Sequence, residues 1–184
     1  MTREHRIDLV CHPASPSAAV RGIQAVVNRA VSGGLHLTYL LDGDIPRLRI
    51  PAPSAPVFNA ALWRRTCFES FIAIAGDAAY HEFNFSPSGE WAVFAFKGYR
   101  DGGPLEDESL RPPIKFQSAG NHLRLDSLVR VDRLASRHLC APLLVGIAAV
   151  IEEEDRRSYW AIRHPCATPD FHRLDGFGLR LDPA

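Results

Sequence analysis

The stretch that decides the fold is HEFNFSPSGEWAVFAFKGYR, residues 81–100. Two short runs, in which apolar and polar residues alternate, meet there at a Ser-Pro-Ser-Gly turn. Alternation with a period of two is typical of β-strands, because successive side chains of a strand point to opposite faces. A turn rich in Pro, Ser and Gly between two such runs predicts a β-hairpin.

The same alternation recurs along most of the chain, with turns rich in Gly, Pro and Asp between the runs. The predicted strands are residues 5–11, 20–28, 35–41, 66–75, 79–85, 90–97, 114–117, 122–131, 143–153, 158–163 and 177–181. Only 57–63 and 132–140 are candidates for short helical turns, and 101–113 is predicted to be one long loop. This pattern predicts a single all-β domain over 1–184, an antiparallel sandwich or barrel.

Composition and charge exclude several classes of protein. The chain has 184 residues, of which 46% are hydrophobic and 23% charged, so it can bury a core without disulfides or metals. The 21 basic residues balance the 21 acidic ones, and a neutral domain lacks the charge expected of a nucleic-acid binder. No apolar run resembles a signal peptide or a membrane span, which predicts a cytoplasmic protein without a membrane partner.

Cysteine usage agrees with a cytoplasmic location. The four cysteines are scattered, without a C-x-x-C pair, and are predicted to be reduced thiols. Two disulfides are the alternative. The cysteines are Cys11, Cys67, Cys140 and Cys166.

The strand faces suggest a binding surface. If the phenylalanines of 66–75, 79–85 and 90–97 line the core, polar residues and one tryptophan lie together on the opposite face. Fixed polar groups beside aromatic surface are the general form of a small-ligand site, although cross-strand surface pairs would use the same residue types. The core set is then Phe68, Ile72, Phe83, Phe85, Phe94 and Phe96, and the opposite face carries Glu69, Glu82, Asn84, Trp91 and Lys97.

Residues 62–96, LWRRTCFESFIAIAGDAAYHEFNFSPSGEWAVFAF, resemble the central strands of the DOMON-like superfamily, which includes the family 9 carbohydrate-binding modules. The matching pattern is a Trp, a Cys-x-Glu strand, a Tyr-x-Glu-Phe-x-Phe-Ser-Pro-Ser-Gly hairpin and a second Trp. The ending, residues 159–181, resembles the closing segment of bacterial stand-alone members. Together with the strand alternation, the resemblance predicts an antiparallel jelly-roll β-sandwich with at most two short helices.

The resemblance also implies site residues. In the sugar-binding modules, a Trp ahead of the Cys-x-Glu strand and a late aromatic residue clamp a sugar, while the strand Glu and a basic residue bond its hydroxyls. Trp63 and Glu69 stand at matching positions. The late aromatic residue is Trp160 or Phe171, and the basic residue is Lys97 or Arg100. With the polar face included, the predicted ligand-binding residues are Trp63, Glu69, Asn84, Trp91, Lys97, Arg100, Trp160 and Phe171.

No motif requires a cofactor. Haem-binding relatives use a Met and a His as axial ligands, and because the only Met here is Met1, haem is not expected. Calcium is a candidate without EF-hand spacing, with Asp42, Asp44, Asp101, Glu106 and Asp107 as oxygen donors. Four further residues could ligate a transition metal, but no zinc module has their spacing: His164, Cys166, Asp170 and His172.

Three hypotheses for function remain. The favoured one is a non-catalytic module that binds a small sugar or a sugar-containing ligand. The second is a protein-interaction domain that docks a partner chain on the same face, and the third is a hydrolase that uses Glu69 and Glu82 as paired carboxylates. A sugar clamp requires a concave slot between two aromatic residues, whereas a docking face is flat and broad.

Overall fold

The computed structural model describes residues 4–154 and 156–183, and these residues form an all-β antiparallel fold. The strands are β1 (Glu4–Cys11), β2 (Val20–Arg29), β3 (Gly34–Gly43), β4 (Cys67–Ile74), β5 (Tyr80–Phe85), β6 (Trp91–Gly98), β7 (Asp101–Pro104), β8 (Ile114–Ala119), β9 (His122–Arg130), β10 (Leu143–Glu153), β11 (Arg156–Ala161) and β12 (Leu179–Leu181). The one α-helix among these residues is α1 (Arg137–Cys140), and short 3-10 turns span Ile45–Arg47, Leu62–Arg64, Glu108–Leu110, Val131–Arg133 and Leu174–Gly176. The predicted fold class is confirmed.

The strands form two layers. The first layer has the order β8-β9-β3-β2-β1, and the second has the order β7-β6-β5-β4-β10-β11. Strand β12 pairs with the first residues of β10, on the same edge that β11 occupies farther along. The end of β1 also pairs with β11, with Val10 opposite Ala161, so one strand belongs to both layers.

The main core lies between the two layers. Val27 and Tyr39 of the first layer pack in one buried cluster with Phe68 and Phe83 of the second. The Tyr39 ring lies 5.0 Å from that of Phe68, and its hydroxyl donates to the backbone oxygen of Glu69 at 2.8 Å. A buried Tyr needs such a partner for its hydroxyl. This contact ties the first layer to β4.

The predicted face assignment of β6 is wrong. In the β5–β6 ladder, Phe83 lies opposite Val93 and Glu82 lies opposite Phe94. Directly opposed residues share a face, so Trp91 and Val93 point into the main core, while Phe94 points to the outer face. Trp91 is 1% exposed, and its indole N–H donates to the Pro56 carbonyl. The same register places Phe96, opposite Tyr80, on the outer face as well.

A second apolar layer covers part of the outer face of β4 and β5. Phe177, from the segment between β11 and β12, packs against Phe71 and Tyr80. Gly146 on β10 makes room for it, because a Cβ there would lie 2.9 Å from the Phe177 ring. Since β4 is thus buried on both faces, apolar residues of this region do not by themselves mark the inter-layer core.

Strand β7 lies in the segment that the sequence predicted to be a loop. Its Asp-Gly-Gly-Pro sequence has no apolar alternation, yet Gly103 pairs with Ala95 and Gly102 with Phe96. A Cβ at Gly102 would overlap the backbone of Ala95, so only glycine allows this close approach. The pairing brings the β6–β7 turn back over the outer face of the second layer.

Within the described ranges, none of the helices is long and apolar enough to cross a membrane. The four cysteines are free.

Candidate functional site

A cleft of about 590 Å³ opens on the outer face of the second layer. Its floor is formed by side chains of β4, β5, β6, β10 and β11. The turn Leu62–Arg64, the β6–β7 turn and residues 169–172 form its sides. The sheet register therefore determines which floor residues face the ligand space, and three loops determine its width.

Two glutamates lie on the floor of the cleft. Glu69 of β4 and Glu82 of β5 are only 3% and 5% exposed. Asn84 faces Glu69 across the ladder, and its amide donates to Glu82 Oε1 at 2.8 Å. The Glu69 carboxyl group has no hydrogen bond or ion pair with any residue in the described part of the chain.

Burial raises the pKa of both carboxyl groups. Burial, and then the charge of Glu82, raises the pKa of Glu69 well above its usual range. Burial raises the pKa of Glu82 to about 7, against the opposing effects of the Asn84 hydrogen bond and the Arg100 charge. Two neighbouring carboxyl groups in a poorly solvated site resist being ionised together. The two carboxyl groups therefore hold protons to a higher pH than isolated glutamates do.

His172 lies beside the same glutamate pair. Its Nδ1 lies 2.9 Å from the Tyr80 hydroxyl oxygen, which also accepts the backbone N–H of Arg100. Its other ring nitrogen, Nε2, lies 3.7 Å from Glu82 Oε2 and carries the ring proton in the tautomer whose Nδ1 accepts from Tyr80. Burial, and then the charge of Arg100, lowers the pKa of His172 to about 4, so the ring is neutral at pH 7.

Asp170 neutralises the one guanidinium of the cleft. Its carboxylate accepts from Arg100 at 2.9 Å, from the Tyr99 hydroxyl at 2.6 Å and from the backbone N–H of His172 at 3.0 Å. Arg100 has a φ of +54°, in the left-handed region that arginine seldom adopts. Strained backbone of this kind is often found at functional sites, and here three bonds to one carboxylate stabilise it.

Aromatic side chains line the cleft on several sides. Trp63 stands at one edge and is 46% exposed. Phe94 and Phe96 lie side by side on β6 with ring centroids 6.3 Å apart. Tyr159 and Phe171 form a second aromatic pair, with centroids 6.1 Å apart. The cleft thus combines aromatic walls with a polar floor.

The structure brings half of the predicted ligand-binding residues to this cleft and leaves the others outside it. Those that line it are Trp63, Glu69, Arg100 and Phe171. Asn84 lies beneath the floor as a partner of Glu82. The three that do not reach it are Trp91 and Trp160, which are in the main core, and Lys97, which is exposed at the end of β6.

Trp160, one of the two predicted late aromatic residues, lies in the main core, and its neighbour Tyr159 lines the cleft instead. Trp160 lies opposite Ala149 of the main core, and its indole N–H donates to Ser158 at 3.0 Å. Tyr159, one residue earlier, lies opposite Val150 and lines the cleft. Alternation along β11 separates the two aromatic residues, but the register with β10 decides which of them faces the ligand space.

Sequence reasoning also missed Asp170 and His172 as members of the cleft, since it treated them only as metal ligands beside His164 and Cys166. The His164 ring instead bonds the Val10 carbonyl at 2.8 Å. No three His, Cys, Asp or Glu side chains within 4–154 and 156–183 are placed to hold a metal ion.

The comparisons with known proteins concern the fold. No protein-family model matches the sequence, and no curated protein matches it either. The chain is similar to a solved structure from Bacteroides uniformis ATCC 8492, described as a candidate carbohydrate-binding protein, with a TM-score of 0.75 and 14% identity over 96% of this chain and 84% of that one. This likeness shows the fold alone.

A second solved structure is more distant. It is a family 9 carbohydrate-binding module from Caldicellulosiruptor kristjanssonii in complex with glucose, with a TM-score of 0.46 and 9% identity over 85% of this chain and 74% of that one.

Proposed function

We propose that the cleft binds a sugar or a sugar-containing ligand and does not transform it. The observation that carries the proposal is the position of Trp63 and Phe171 at the walls of a concave cleft whose floor presents Glu69 and Glu82. A sugar ring has apolar C–H faces, which pack on aromatic rings, and polar edges, which donate to carboxylates. The description of the Bacteroides structure as a candidate carbohydrate-binding protein supports the same ligand class.

The shape of the cleft favours a small ligand over a partner chain. Its volume of about 590 Å³ falls within the range of roughly 300–1,000 Å³ that is common for small-molecule sites. Protein docking surfaces bury about 800 Å² on each partner and are broader. A concave slot with aromatic residues at its edges is the geometry expected of a sugar clamp.

Each group has a role in this proposal. Trp63, the most exposed aromatic residue of the cleft, stacks on the sugar ring, and Phe171 lines the same cleft from the segment after β11. Glu69 and Glu82 accept hydrogen bonds from hydroxyl groups, and His172 Nε2 donates one. Arg100 is held by Asp170 at the rim of the cleft.

The arrangement of the carboxyl groups supports binding without hydrolysis. A glycosidase places its acid and its nucleophile or base on the two sides of the scissile bond. Glu69 and Glu82 instead lie on neighbouring strands of one floor, so both approach a ligand from the same side. Incubation with any bound oligosaccharide should therefore leave it intact, as chromatography of the recovered sugar would show.

Isothermal titration calorimetry against a panel of neutral monosaccharides, amino sugars and disaccharides tests the proposal. We expect at least one sugar to bind, and Trp63→Ala to weaken that binding more than tenfold. Val57→Ala is the matched control, because Val57 is 49% exposed but does not line the cleft. Failure of a correctly folded protein to bind any sugar would contradict the proposal.

A further inference from the structure

The charges of the cleft are unbalanced. Three carboxyl groups line it, from Glu69, Glu82 and Asp170, against the single guanidinium of Arg100. Asp170 already pairs with Arg100 at 2.9 Å, and His172 is neutral at pH 7. Among the described residues that line the cleft, no cation therefore remains for the two glutamates.

Glu69 shows the imbalance most clearly. The residue is only 3% exposed and lines the cleft, yet its side-chain carboxyl group has no hydrogen bond or ion pair with any described residue. Buried polar groups in folded proteins are almost always hydrogen-bonded. A buried carboxyl group that opens into an aromatic cleft without a partner marks a place for a ligand group that donates.

Acceptors are also in excess on the floor. Asn84 uses its amide N–H on Glu82, and its own Oδ1 has no hydrogen-bond partner. His172 Nε2 lies 3.7 Å from Glu82 Oε2, which is too far for a hydrogen bond. A ligand group with several N–H donors and no acceptor satisfies such a floor better than a hydroxyl group, which brings both.

We propose that the ligand presents a protonated amine to Glu69 and Glu82, and that the sugar is an amino sugar with a free, unacetylated amine. This inference rests on the proposed function, because it names the class of sugar. An ammonium group forms charge-assisted hydrogen bonds with the two carboxylates. The rings of Trp63, Phe94 and Tyr159 add surface that attracts a cation.

The same charges exclude acidic sugars. A uronate or a sugar phosphate would place a further negative charge beside Glu69 and Glu82, with Arg100 already engaged by Asp170. Like charges brought together in a desolvated site oppose binding, which makes the cleft selective as well as attractive.

Binding of an ammonium group should release a proton from the glutamate pair. Burial favours the protonated form of the two carboxyl groups, and a nearby cation stabilises their ionised form. The other ionisable groups that face the pair or its neighbours are fixed by burial or by their own partners. These groups are His172, Tyr80, Cys67, Arg100 and Asp170.

Matched pairs of sugars test the inference by calorimetry at pH 6.5. The pairs are glucose and glucosamine, galactose and galactosamine, and mannose and mannosamine, with N-acetylglucosamine, glucuronate and choline as further ligands. We expect one amino sugar to bind about tenfold or more tightly than its parent sugar. N-acetylglucosamine should lose this advantage, and glucuronate should bind more weakly than glucose.

The outcomes separate the inference from the proposed function. Parent sugars that bind as tightly as their amino derivatives overturn the amino-sugar inference and leave sugar binding intact. No binding by any sugar overturns both. Choline binding as tightly as the best amino sugar also overturns the inference, because the ammonium group would then suffice without a sugar ring.

Two variants connect the preference to the glutamates. Glu69→Gln should remove the advantage of the amino sugar over its parent, whereas Glu108→Gln, at an exposed position outside the cleft, should leave it unchanged. Titrations in two buffers of different ionisation enthalpy should show proton release on binding, and less of it in Glu82→Gln. An unchanged preference in a folded Glu69→Gln variant would overturn the inference.

Discussion

Glu82 on β5 lies directly opposite Phe94 on β6, and this pairing determines which aromatic residues of β6 face the cleft. Because opposed residues share a face, Phe94 lines the cleft although its sequence position suggested the core. One residue away, Phe83 lies opposite Val93 in the main core. Two phenylalanines with the same sequence pattern thus differ in location, with Phe83 in the main core and Phe94 in the cleft.

Truncation of these two phenylalanines should separate stability from binding. Phe83 is fully buried between the layers, so we expect Phe83→Ala to lower the free energy of unfolding by about 3–5 kcal/mol. Phe94 is partly exposed in the cleft, so Phe94→Ala should cost less stability and weaken ligand binding instead. Urea unfolding and calorimetry measure the two effects, and equal losses of stability in both variants would contradict the assignment of faces.

Two of the three candidate tryptophans should differ in the same way. Trp160 is buried in the main core, and Trp160→Ala should lower the free energy of unfolding by about 3–5 kcal/mol. Trp63 is 46% exposed at the cleft edge, so Trp63→Ala should change it by less than about 1 kcal/mol. A large loss of thermal stability in Trp63→Ala would indicate that this residue has a packing role.

The raised pKa of Glu82 should make the ligand-free protein less stable as the pH rises. The folded protein holds a proton that the unfolded chain, with a glutamate pKa near 4.5, releases. The contribution to stability is therefore complete below pH 4.5 and is lost as the pH approaches about 7. We expect roughly 1–3 kcal/mol between these limits, as the difference between the wild type and Glu82→Gln.

The comparison with Glu82→Gln is needed because two histidines act in the opposite direction. The pKa of His81 and that of His172 are lowered to about 4, chiefly by burial. Each histidine therefore adds stability as the pH rises through its titration range. The variant retains both histidines and removes only the carboxyl group. Identical pH profiles of chemical unfolding for the two proteins would contradict a proton held on Glu82.

Asp170 should act as a positioning residue for one side of the cleft. Asp170→Asn weakens bonds to Arg100, to Tyr99 and to the backbone of His172, and bonds to a charged group contribute about 1.5–3 kcal/mol each. We expect faster amide hydrogen exchange over residues 169–172 and weaker ligand binding. The freed guanidinium of Arg100 should also reduce the discrimination against glucuronate.

Asp175→Asn provides the control for this variant. Asp175 lies in the same segment and pairs with Arg173, but it is exposed and does not line the cleft. Its substitution should leave both exchange and binding unchanged. If Asp170→Asn behaves like Asp175→Asn, the bonds to Arg100 have no role in shaping the cleft.

The sequence predicted the strands well because their signal is local. Alternation and turn residues placed β4, β5 and β6 within a residue or two of their observed ends, and the resemblance of residues 62–96 indicated Trp63 and Glu69 as neighbours in one site. β7 was missed because its two glycines carry no side-chain pattern, and its pairing depends on a close approach to Ala95. The jelly-roll connectivity stays a prediction.

The site was harder to predict because it depends on non-local register. Alternation shows that Trp91 and Phe94 lie on opposite faces of β6. Apolar residues pack on both faces of this layer, so hydrophobicity does not show which face points into the main core. For the same reason, the sequence did not show that Tyr159 faces the cleft and Trp160 the main core. Asp170 and His172 join the cleft through the fold of a loop more than sixty residues distant in sequence from Arg100, which no local pattern encodes.

Sugar binding in the cleft can be mapped residue by residue. Amide chemical shifts should be recorded by NMR while the protein is titrated with the tightest sugar of the panel. We expect the largest changes at Glu69, Glu82, Phe94 and His172, with saturation at one stoichiometric equivalent, and their loss in Trp63→Ala. Changes concentrated instead around Asp42 and Arg124, on the first layer, would place the ligand elsewhere and contradict the assignment of the cleft as the sugar site.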